Sequence, residues 1–460
     1  MQAPDRPVTA GARLRDAVIA ARGPRPRHNG CRAAATGRTA RRRPLPAAAV
    51  AATLSLAGAP AAAGSLPDEP AGAAGRAASV AACPGQPPGY MALPGTQTCL
   101  KIDGLVYYEF WLYGSNAASG QPGWYSADQN GISSYVRGDV RLHSVSDTEY
   151  GPLTSFIELR MSLQSQLVPS VMTDTWQLYH GLLNWNGITA GRTQSMFDYF
   201  TGSTYASLYE PAWSDTKTNL LAYTYTFGAS GFSLTGSMED SSYRDLGIIN
   251  APGFAAGTAT GYAGQQLPDF VGALAYTAGW GSAQVSAASH LVNTFLGTGG
   301  TGDYAAKTGW ATAGGVTLNL PHLGTGDSLT LQGAYGVGAL NYIATNPIDN
   351  STLPGGADAV IATGAAGGRQ LQLSRAWSVS GGITHNWSPQ WQSNINVSYL
   401  DVGQLGPADN FSNVDIQASH IFFPVNNLQF GVEVEYKRIQ PQTGALGNAL
   451  VGLLHIERDF

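Results

Sequence analysis

The sequence predicts an all-β protein, and more specifically a transmembrane antiparallel β-barrel of about 16 strands. Only 12% of its 460 residues are charged, about half the share of roughly 25% that is usual in soluble domains. Hydrophobic residues make up 43% of the chain, which is too apolar for a disordered protein. No apolar run is long enough for a transmembrane helix. Beyond about residue 100, polar and apolar residues alternate in many segments, with the period of a two-faced β-strand.

The first 63 residues have the composition of an export signal. They contain 11 arginines and two aspartates, a net charge of +9, whereas the rest of the chain carries a net charge of −14. Arginines up to Arg43 precede an uncharged, alanine-rich stretch that ends in small residues at Ala63. This order predicts a secretory signal cleaved after Ala63, with an alanine-rich linker as the alternative. We therefore expect a signal with an atypically long basic extension (1–63), an amino-terminal segment with a cysteine pair (64–100) and the barrel (101–460).

The segment from Leu428 to Tyr436 illustrates the alternation. Phe430 and Val432 fall on one face, and Glu433 and Glu435 fall on the other. Many such segments of about ten residues, each with one polar face, favour a membrane barrel over a soluble sandwich. The sixteen predicted strands begin near Ile102, Ile132, Leu153, Thr175, Ile188, Asn219, Phe232, Asp269, Ser282, Lys307, Ser328, Ala376, Trp391, Phe411, Leu428 and Ala449.

The connections between these strands alternate between tight turns and long loops. Short turns at one end and long loops at the other are typical of the outer membrane of Gram-negative bacteria, and an even strand number leaves no free edge. A barrel of sixteen strands encloses an aqueous lumen. The chain ends on an aromatic residue, Phe460, which predicts recognition by the outer-membrane barrel assembly machinery.

Four segments resemble a known family. They are "CPGQPPGYMALPGTQTCLKIDGLVYYEF" (Cys83 to Phe110), "GITAGRTQSMFDYFTG" (Gly187 to Gly202), "SVSGGITHNWSPQWQSNINVSYLDV" (Ser378 to Val402) and the closing "ERDF". All four are similar to alphaproteobacterial porins, the porin type 2 family of Brucella- and Rhizobium-like bacteria. The resemblance covers roughly residues 80–460. It implies a 16-stranded barrel, a homotrimer in contact with outer-membrane lipid and lipopolysaccharide, and passive diffusion of small hydrophilic solutes. The long basic extension departs from the family pattern.

Two of the three cysteines, Cys83 and Cys99, remain after removal of the predicted signal, whereas Cys31 does not. A pair of cysteines in an oxidising compartment predicts a disulfide. Two free thiols are the alternative.

The segment from Met196 to Thr218 is too long for a hairpin turn and is rich in aromatic residues for a solvent-exposed tip. Such side chains are better buried against the barrel wall than left in water, and in the resembled family the third loop folds into the pore. We therefore predict an inward-folded constriction loop, with an external loop packed at a trimer interface as the alternative. The predicted loop residues are Phe197, Asp198, Tyr199, Glu210 and Asp215, and the predicted charged wall residues are Arg137, Asp139, Arg141, Glu158, Arg160, Glu433 and Glu435.

Alternation directs eight carboxylates but only four cations toward the lumen, which predicts a preference for cations. Besides the wall residues above, these groups are Asp103, Glu109, Glu239, Glu457 and Lys437. The alternative places the excess acid in the external loops and leaves the pore nearly neutral.

The sequence contains no catalytic signature such as HExxH or GxSxG and no histidine spacing that suits a metal. We therefore expect no enzyme activity, no cofactor and no metal, and the acidic body argues against a nucleic-acid partner. The alternatives to a general diffusion channel are a channel selective for sugars or anions, an outer-membrane barrel enzyme, and a soluble secreted all-β binding protein.

Overall fold

A computed structural model describes ten stretches of the chain: residues 81–114, 130–165, 171–205, 211–250, 261–297, 302–345, 356–363, 368–404, 410–443 and 446–460. The predicted signal (1–63) and Glu210 lie outside these described residues. The described residues form twenty strands and two short 3-10 helices, Ser241–Tyr243 and Leu340–Tyr342. Among them, no helix is both long enough and apolar enough to cross a membrane.

In chain order the strands are β1 (Met91–Ala92), β2 (Thr98–Gly114), β3 (Ile132–Ser146), β4 (Leu153–Ser165), β5 (Met172–Trp185), β6 (Ile188–Gln194), β7 (Lys217–Thr226), β8 (Phe232–Glu239), β9 (Ile248–Asn250), β10 (Asp269–Ala278), β11 (Gly281–Phe295), β12 (Tyr304–Asn319), β13 (Ser328–Val337), β14 (Ala359–Thr363), β15 (Arg369–Leu373), β16 (Arg375–Ser388), β17 (Trp391–Gly403), β18 (Phe411–Val425), β19 (Leu428–Pro441) and β20 (Gly447–Asp459).

Sixteen of these strands form the barrel wall: β2 to β8, β10 to β13 and β16 to β20. Each pairs antiparallel with the wall strand before it and the one after it. The ring closes where β2 pairs with β20, with Leu105 opposite Asp459. Just beyond this pair, Gly104 and Phe460 exchange two backbone hydrogen bonds of 3.1 and 3.0 Å. The predicted barrel of sixteen antiparallel strands is confirmed, and closure leaves its wall without a free edge.

Side chains along each wall strand alternate between the lumen and the outer face. In β2, Leu105 and Tyr107 are buried, whereas Val106 and Tyr108 are about half exposed. The same alternation continues in β19, where Val432 is exposed and Glu433 is buried. In a membrane barrel the apolar outer face meets lipid, so side chains that would be poorly placed in water are well placed here.

Short turns join the wall strands at one end of the barrel, and long connections join them at the other. The turns between β5 and β6 and between β18 and β19 contain asparagines in the left-handed region, Asn186 at φ 48° and Asn427 at φ 61°. Asparagine tolerates this conformation better than most residues, which explains its place in two-residue hairpins.

The long connections contain structure that the alternation pattern does not predict. β9 pairs parallel with β14, and β14 pairs antiparallel with β15, so a three-stranded sheet joins two loops. Its buried side chains, Ile248, Ile361 and Leu371, pack with Val292 of β11. The loops at this end are therefore held to each other and to the wall.

The predicted disulfide between Cys83 and Cys99 is confirmed, with 5.9 Å between the two Cα atoms. Next to it, β1 pairs with the start of β2, with Ala92 opposite Cys99. Together the bond and the short ladder fasten the segment from residue 81 to β1 onto the first wall strand.

Candidate functional site: the inward loop and the lumen wall

The connection between β6 and β7, residues 195–216, is named L3 here and is described except for 206–210. It folds into the barrel and follows the inner wall, which confirms the predicted inward third loop. L3 residues form hydrogen bonds to side chains on seven wall strands: Glu239 (β8), Gln284 and Ser286 (β11), Thr317 (β12), Gln332 (β13), Asn396 and Ser398 (β17), Gln417 (β18), and Gln429 and Glu433 (β19).

The aromatic side chains of L3 lie against the wall. Phe197 is 1% exposed and meets the ring of Tyr342 edge-on at 4.8 Å between centroids. The Tyr199 hydroxyl donates to Thr317 Oγ1 at 2.9 Å, and Phe200 packs edge-on against Trp213 at 4.9 Å. Edge-to-face contacts of this kind stabilise an aromatic cluster beyond the burial of its area.

The two ends of L3 are held together by a buried ion pair and the hydrogen bonds around it. Asp198 lies 3.1 Å from the guanidinium of Arg244, which follows β8. The same guanidinium donates to Ser214 Oγ at 2.7 Å, Thr216 Oγ1 at 3.0 Å and the Asn341 carbonyl at 3.2 Å. Burial alone would lower the pKa of Arg244, but Asp198 and its other anionic neighbours raise it, so the charge is retained. Arg244 therefore links both ends of L3 to two other loops.

The two described acidic residues of L3 both have cationic partners. Asp198 is bound by Arg244, and Asp215 forms an ion pair with Lys217 at the start of β7. The third predicted acidic residue, Glu210, lies outside the described residues.

One part of the lumen wall, on β3 and β4, is named the charged wall here: Arg137, Asp139, Arg141, Glu158 and Arg160. Arg137 binds Asp139 through two of its nitrogens, and Arg160 donates twice to Glu158, at 3.0 and 3.1 Å. Arg141 approaches Glu158 only to 4.0 Å and is the most exposed of the three arginines, with 18% of its side chain accessible. The structure thus brings all five of these predicted wall residues together in a network with one more cation than anions.

A second part of the wall, on β2 and β18 to β20, is named the acidic wall: Glu109, Asp415, Glu433, Glu435 and Glu457. All five are at most 3% exposed. His455 lies between Glu109, at 3.1 Å, and Glu457, at 3.4 Å, and Lys437 lies 3.9 Å from Asp415.

Tyr205 of L3 covers part of the acidic wall. Its ring stacks on His455 at 4.0 Å between centroids, and its backbone N–H donates to Glu433 at 2.7 Å. Burial, together with Glu457 and Glu433, raises the pKa of the Tyr205 hydroxyl, so this group stays neutral.

A buried polar network at the loop end of the barrel is a further feature that the sequence pattern does not predict. Asp358 accepts hydrogen bonds from the backbone N–H groups of Leu246 and Leu340, both at 2.7 Å, and from the Tyr262 hydroxyl at 2.9 Å. Burial raises the pKa of Asp358, against the opposing effect of His290. Across the described part of the chain, no three His, Cys, Asp or Glu residues are grouped in a way that could hold a metal ion.

The family model described as "Porin subfamily" matches residues 75–449. Porin Omp2b of Brucella abortus (strain 2308) is 25% identical over 390 residues, 83% of this chain and 90% of that protein. Porin Omp2b of Brucella suis biovar 1 (strain 1330) is similar to the same extent. The outer membrane channel DcaP of Acinetobacter baumannii has a TM-score of 0.60 at 16% identity, over 79% of this chain and 97% of that structure, and supports the fold.

The family match spans nearly the whole barrel and confirms the resemblance carried by the sequence motifs. The wall of sixteen strands is closed and has an apolar outer face and a charged interior. This is the architecture expected of an outer-membrane barrel. The chain therefore belongs to the porin subfamily of that model, and it forms a channel for passive diffusion across the outer membrane of a Gram-negative bacterium.

Proposed function

We propose that L3 and the charged wall bound the narrowest part of this channel, and that small hydrophilic solutes pass between them. The course of L3 along seven wall strands is the observation that carries this proposal. A loop held inside a barrel takes up cross-section that water and ions would otherwise occupy.

The charges of the wall around this opening support selection for polar solutes. The charged wall carries an excess of one cation, whereas the acidic wall carries five carboxylates against Lys437 and His455. Neighbouring parts of the wall with opposite net charge create a local field that orients dipolar molecules and orders water. An apolar solute must displace that water and is therefore penalised.

Deletion of Tyr199 to Glu210 tests the proposed constriction. We expect single-channel conductance in a planar bilayer to rise, because the deletion removes residues 199–205, which take up space inside the barrel. Heat-modifiable migration on a gel verifies that the variant is folded. An unchanged conductance in a folded protein contradicts the proposal.

Further proposals concern the signal, the oligomer and the partners. We infer cleavage after Ala63, assembly into a homotrimer, and contact with lipopolysaccharide and the barrel assembly machinery. Amino-terminal sequencing of the mature protein tests the first of these. Cross-linking of the native membrane protein tests the second, and a monomer as the largest species contradicts it.

A further inference from the structure

Three glycines of the inner wall lie directly beneath aromatic residues of L3. They are Gly315 on β12 beneath Tyr199, Gly382 on β16 beneath Phe200, and Gly431 on β19 beneath Tyr205. A methyl carbon on Gly315 would lie 2.3 Å from Tyr199 Cδ1, one on Gly382 would lie 2.8 Å from Phe200 Cζ, and one on Gly431 would lie 2.2 Å from Tyr205 Cε2. These distances are far inside van der Waals contact, so each ring occupies the space of a missing side chain.

The backbone does not explain these glycines. None of the three has a positive φ, and each pairs in register with both neighbouring strands, as Gly315 does with Gln284 and Gln332. Glycine weakens a strand interior, and where it occurs it often marks the close approach of another group. At Gly315 and Gly431 that group is L3, and at Gly382 it is L3 together with Asn396 of the neighbouring strand, whose Oδ1 would lie closer still to an added carbon.

Polar contacts fix how deeply the rings sit. The Tyr199 hydroxyl donates to Thr317 Oγ1 at 2.9 Å, and the Tyr205 hydroxyl donates to Gln429 Oε1 at 3.1 Å. The backbone N–H of Phe200 donates to Gln332 Oε1 at 3.0 Å. Each of these bonds requires its aromatic residue to lie close to the wall. The ring can approach this closely because the glycine beneath it has no side chain.

We propose that Gly315, Gly382 and Gly431 are positioning residues that set the width of the channel through the distance between L3 and the wall. This inference rests on the proposed constriction by L3. The glycines act through the rings above them and do not themselves meet the solute. A methyl group at any of these positions pushes L3 toward the channel axis, because close-packed contacts cannot absorb it.

Substitution of Gly315 by alanine tests this inference, with the neighbouring Gly314→Ala as the matched control. Gly314 lies on the opposite face of β12, where the nearest atom to an added methyl carbon is 3.9 Å away. We expect Gly315→Ala, and likewise Gly431→Ala, to lower single-channel conductance by about 10 to 50%, the consequence of an overpacked contact. We expect Gly314→Ala to leave conductance at the wild-type value. Equal conductance of Gly315→Ala and Gly314→Ala overturns the inference.

A double-mutant cycle separates the contact between Gly315 and Tyr199 from a general effect of the substitution on β12. In a Tyr199→Ala background, Gly315→Ala should no longer change conductance, because the ring that it displaces is gone. An undiminished effect in that background overturns the inference. If Gly315→Ala alone fails to fold, restored folding in the double variant supports the inference that Gly315 makes room for Tyr199. Continued misfolding of the double variant overturns that inference.

The deletion of Tyr199 to Glu210 keeps the two proposals distinguishable. If that deletion leaves conductance unchanged, L3 does not constrict the channel and the proposed function fails. If the deletion raises conductance but the glycine substitutions behave like Gly314→Ala, the proposed constriction by L3 is supported. Only the inference that the three glycines set the channel width is then overturned.

Discussion

At the scale of single residues, Arg244 is the largest fully buried side chain among the described residues. It is 1% exposed and, besides its ion pair with Asp198, lies over the ring of Tyr342 at 4.0 Å. A charge this deeply buried is tolerated when it is paired with an opposite charge and hydrogen-bonded. Here the partners come from L3 and from the loop after β13, so the cost of burying the charge is offset by joining these loops to the one that contains Arg244.

Substitution of Arg244 by methionine should remove the contacts that hold L3 to the loops after β8 and β13. Removing one partner of a buried ion pair typically destabilises by about 3–5 kcal/mol, because the other charge is left uncompensated. We expect a lower midpoint in the heat-induced gel shift and more current noise in single-channel records. Arg438→Met, at an exposed arginine of β19, is the control and should change the midpoint little. Equal midpoints for the two variants would refute this role of Arg244.

Asp245 predicts a pH dependence of the same loops. Burial raises its pKa to about 6, with contributions from Asp358 and Asp269 and opposition from His290. A carboxyl whose pKa is raised by folding favours the folded loop when it is protonated. That contribution is fully present below the unfolded pKa of about 4 and is lost as the pH rises through about 6.

Hydrogen exchange of residues 241–247, corrected for the intrinsic effect of pH, measures this contribution. Protection in the wild-type protein should decrease as the pH is raised from 4 to 7, and Asp245→Asn should remove most of the change. Since His290, Asp358 and Asp269 remain in that variant, a pH dependence identical to wild type would assign the effect to them instead of Asp245.

At the scale of elements, the alternation of side chains was sufficient to place all sixteen wall strands. Starts such as Ile132 and Trp391 coincide with the predicted positions, whereas β2 begins at Thr98, four residues before the predicted Ile102. A wall strand between water and lipid must alternate along its length, so its signal is local. Strand ends extend beyond the membrane layer, where alternation is not required and boundaries become less certain.

The elements that the pattern missed depend on contacts between distant parts of the chain. β9 and β14 are short and pair with each other across more than a hundred residues, so neither has a local signature. The same applies to the site. The aromatic content of L3 predicts its burial, but nothing near Asp198 in the sequence indicates Arg244 as its partner, 46 positions away. The role of Gly315 emerges only when Tyr199 is seen above it.

The Cys83–Cys99 disulfide holds the segment before β2 against that strand. We expect the barrel to stay closed when the bond is removed. Closing a loop of this size stabilises by about 3 kcal/mol in the chain-entropy model, and the wall strands pair independently of Cys83. In a Cys83→Ser/Cys99→Ser double variant, we expect limited proteolysis to cleave between residues 81 and 97 faster than in the oxidised wild type. Gel migration of the folded barrel should stay unchanged. Equal cleavage rates would show that β1 alone holds the segment.

At the scale of the whole molecule, the distribution of charge predicts a preference for cations. Most cations of the charged wall are neutralised by Asp139 and Glu158, whereas the acidic wall retains an excess of carboxylates. A confined field of this sign concentrates positive ions in the lumen.

Reversal potentials in a salt gradient across a planar bilayer give the sign of the selectivity. We expect a cation-selective value, and Glu457→Gln should move it toward neutrality. Glu149→Gln, in the exposed turn after β3, is the matched control and should have a smaller effect because water screens a charge at that site. An anion-selective wild-type channel would contradict this prediction.

The pairing of the first and last wall strands has a consequence for the order of assembly. Glu109 and His455, in contact where the wall closes, are 346 positions apart in the chain. The sequence separation at that junction is close to the maximum that the barrel wall allows, and loops of this length are slow to form. The first wall strand must therefore keep one row of backbone groups unpaired until β20 has been synthesised and exported. Until then the chain carries an open, aggregation-prone edge, so we expect it to need protection from self-association before the wall closes.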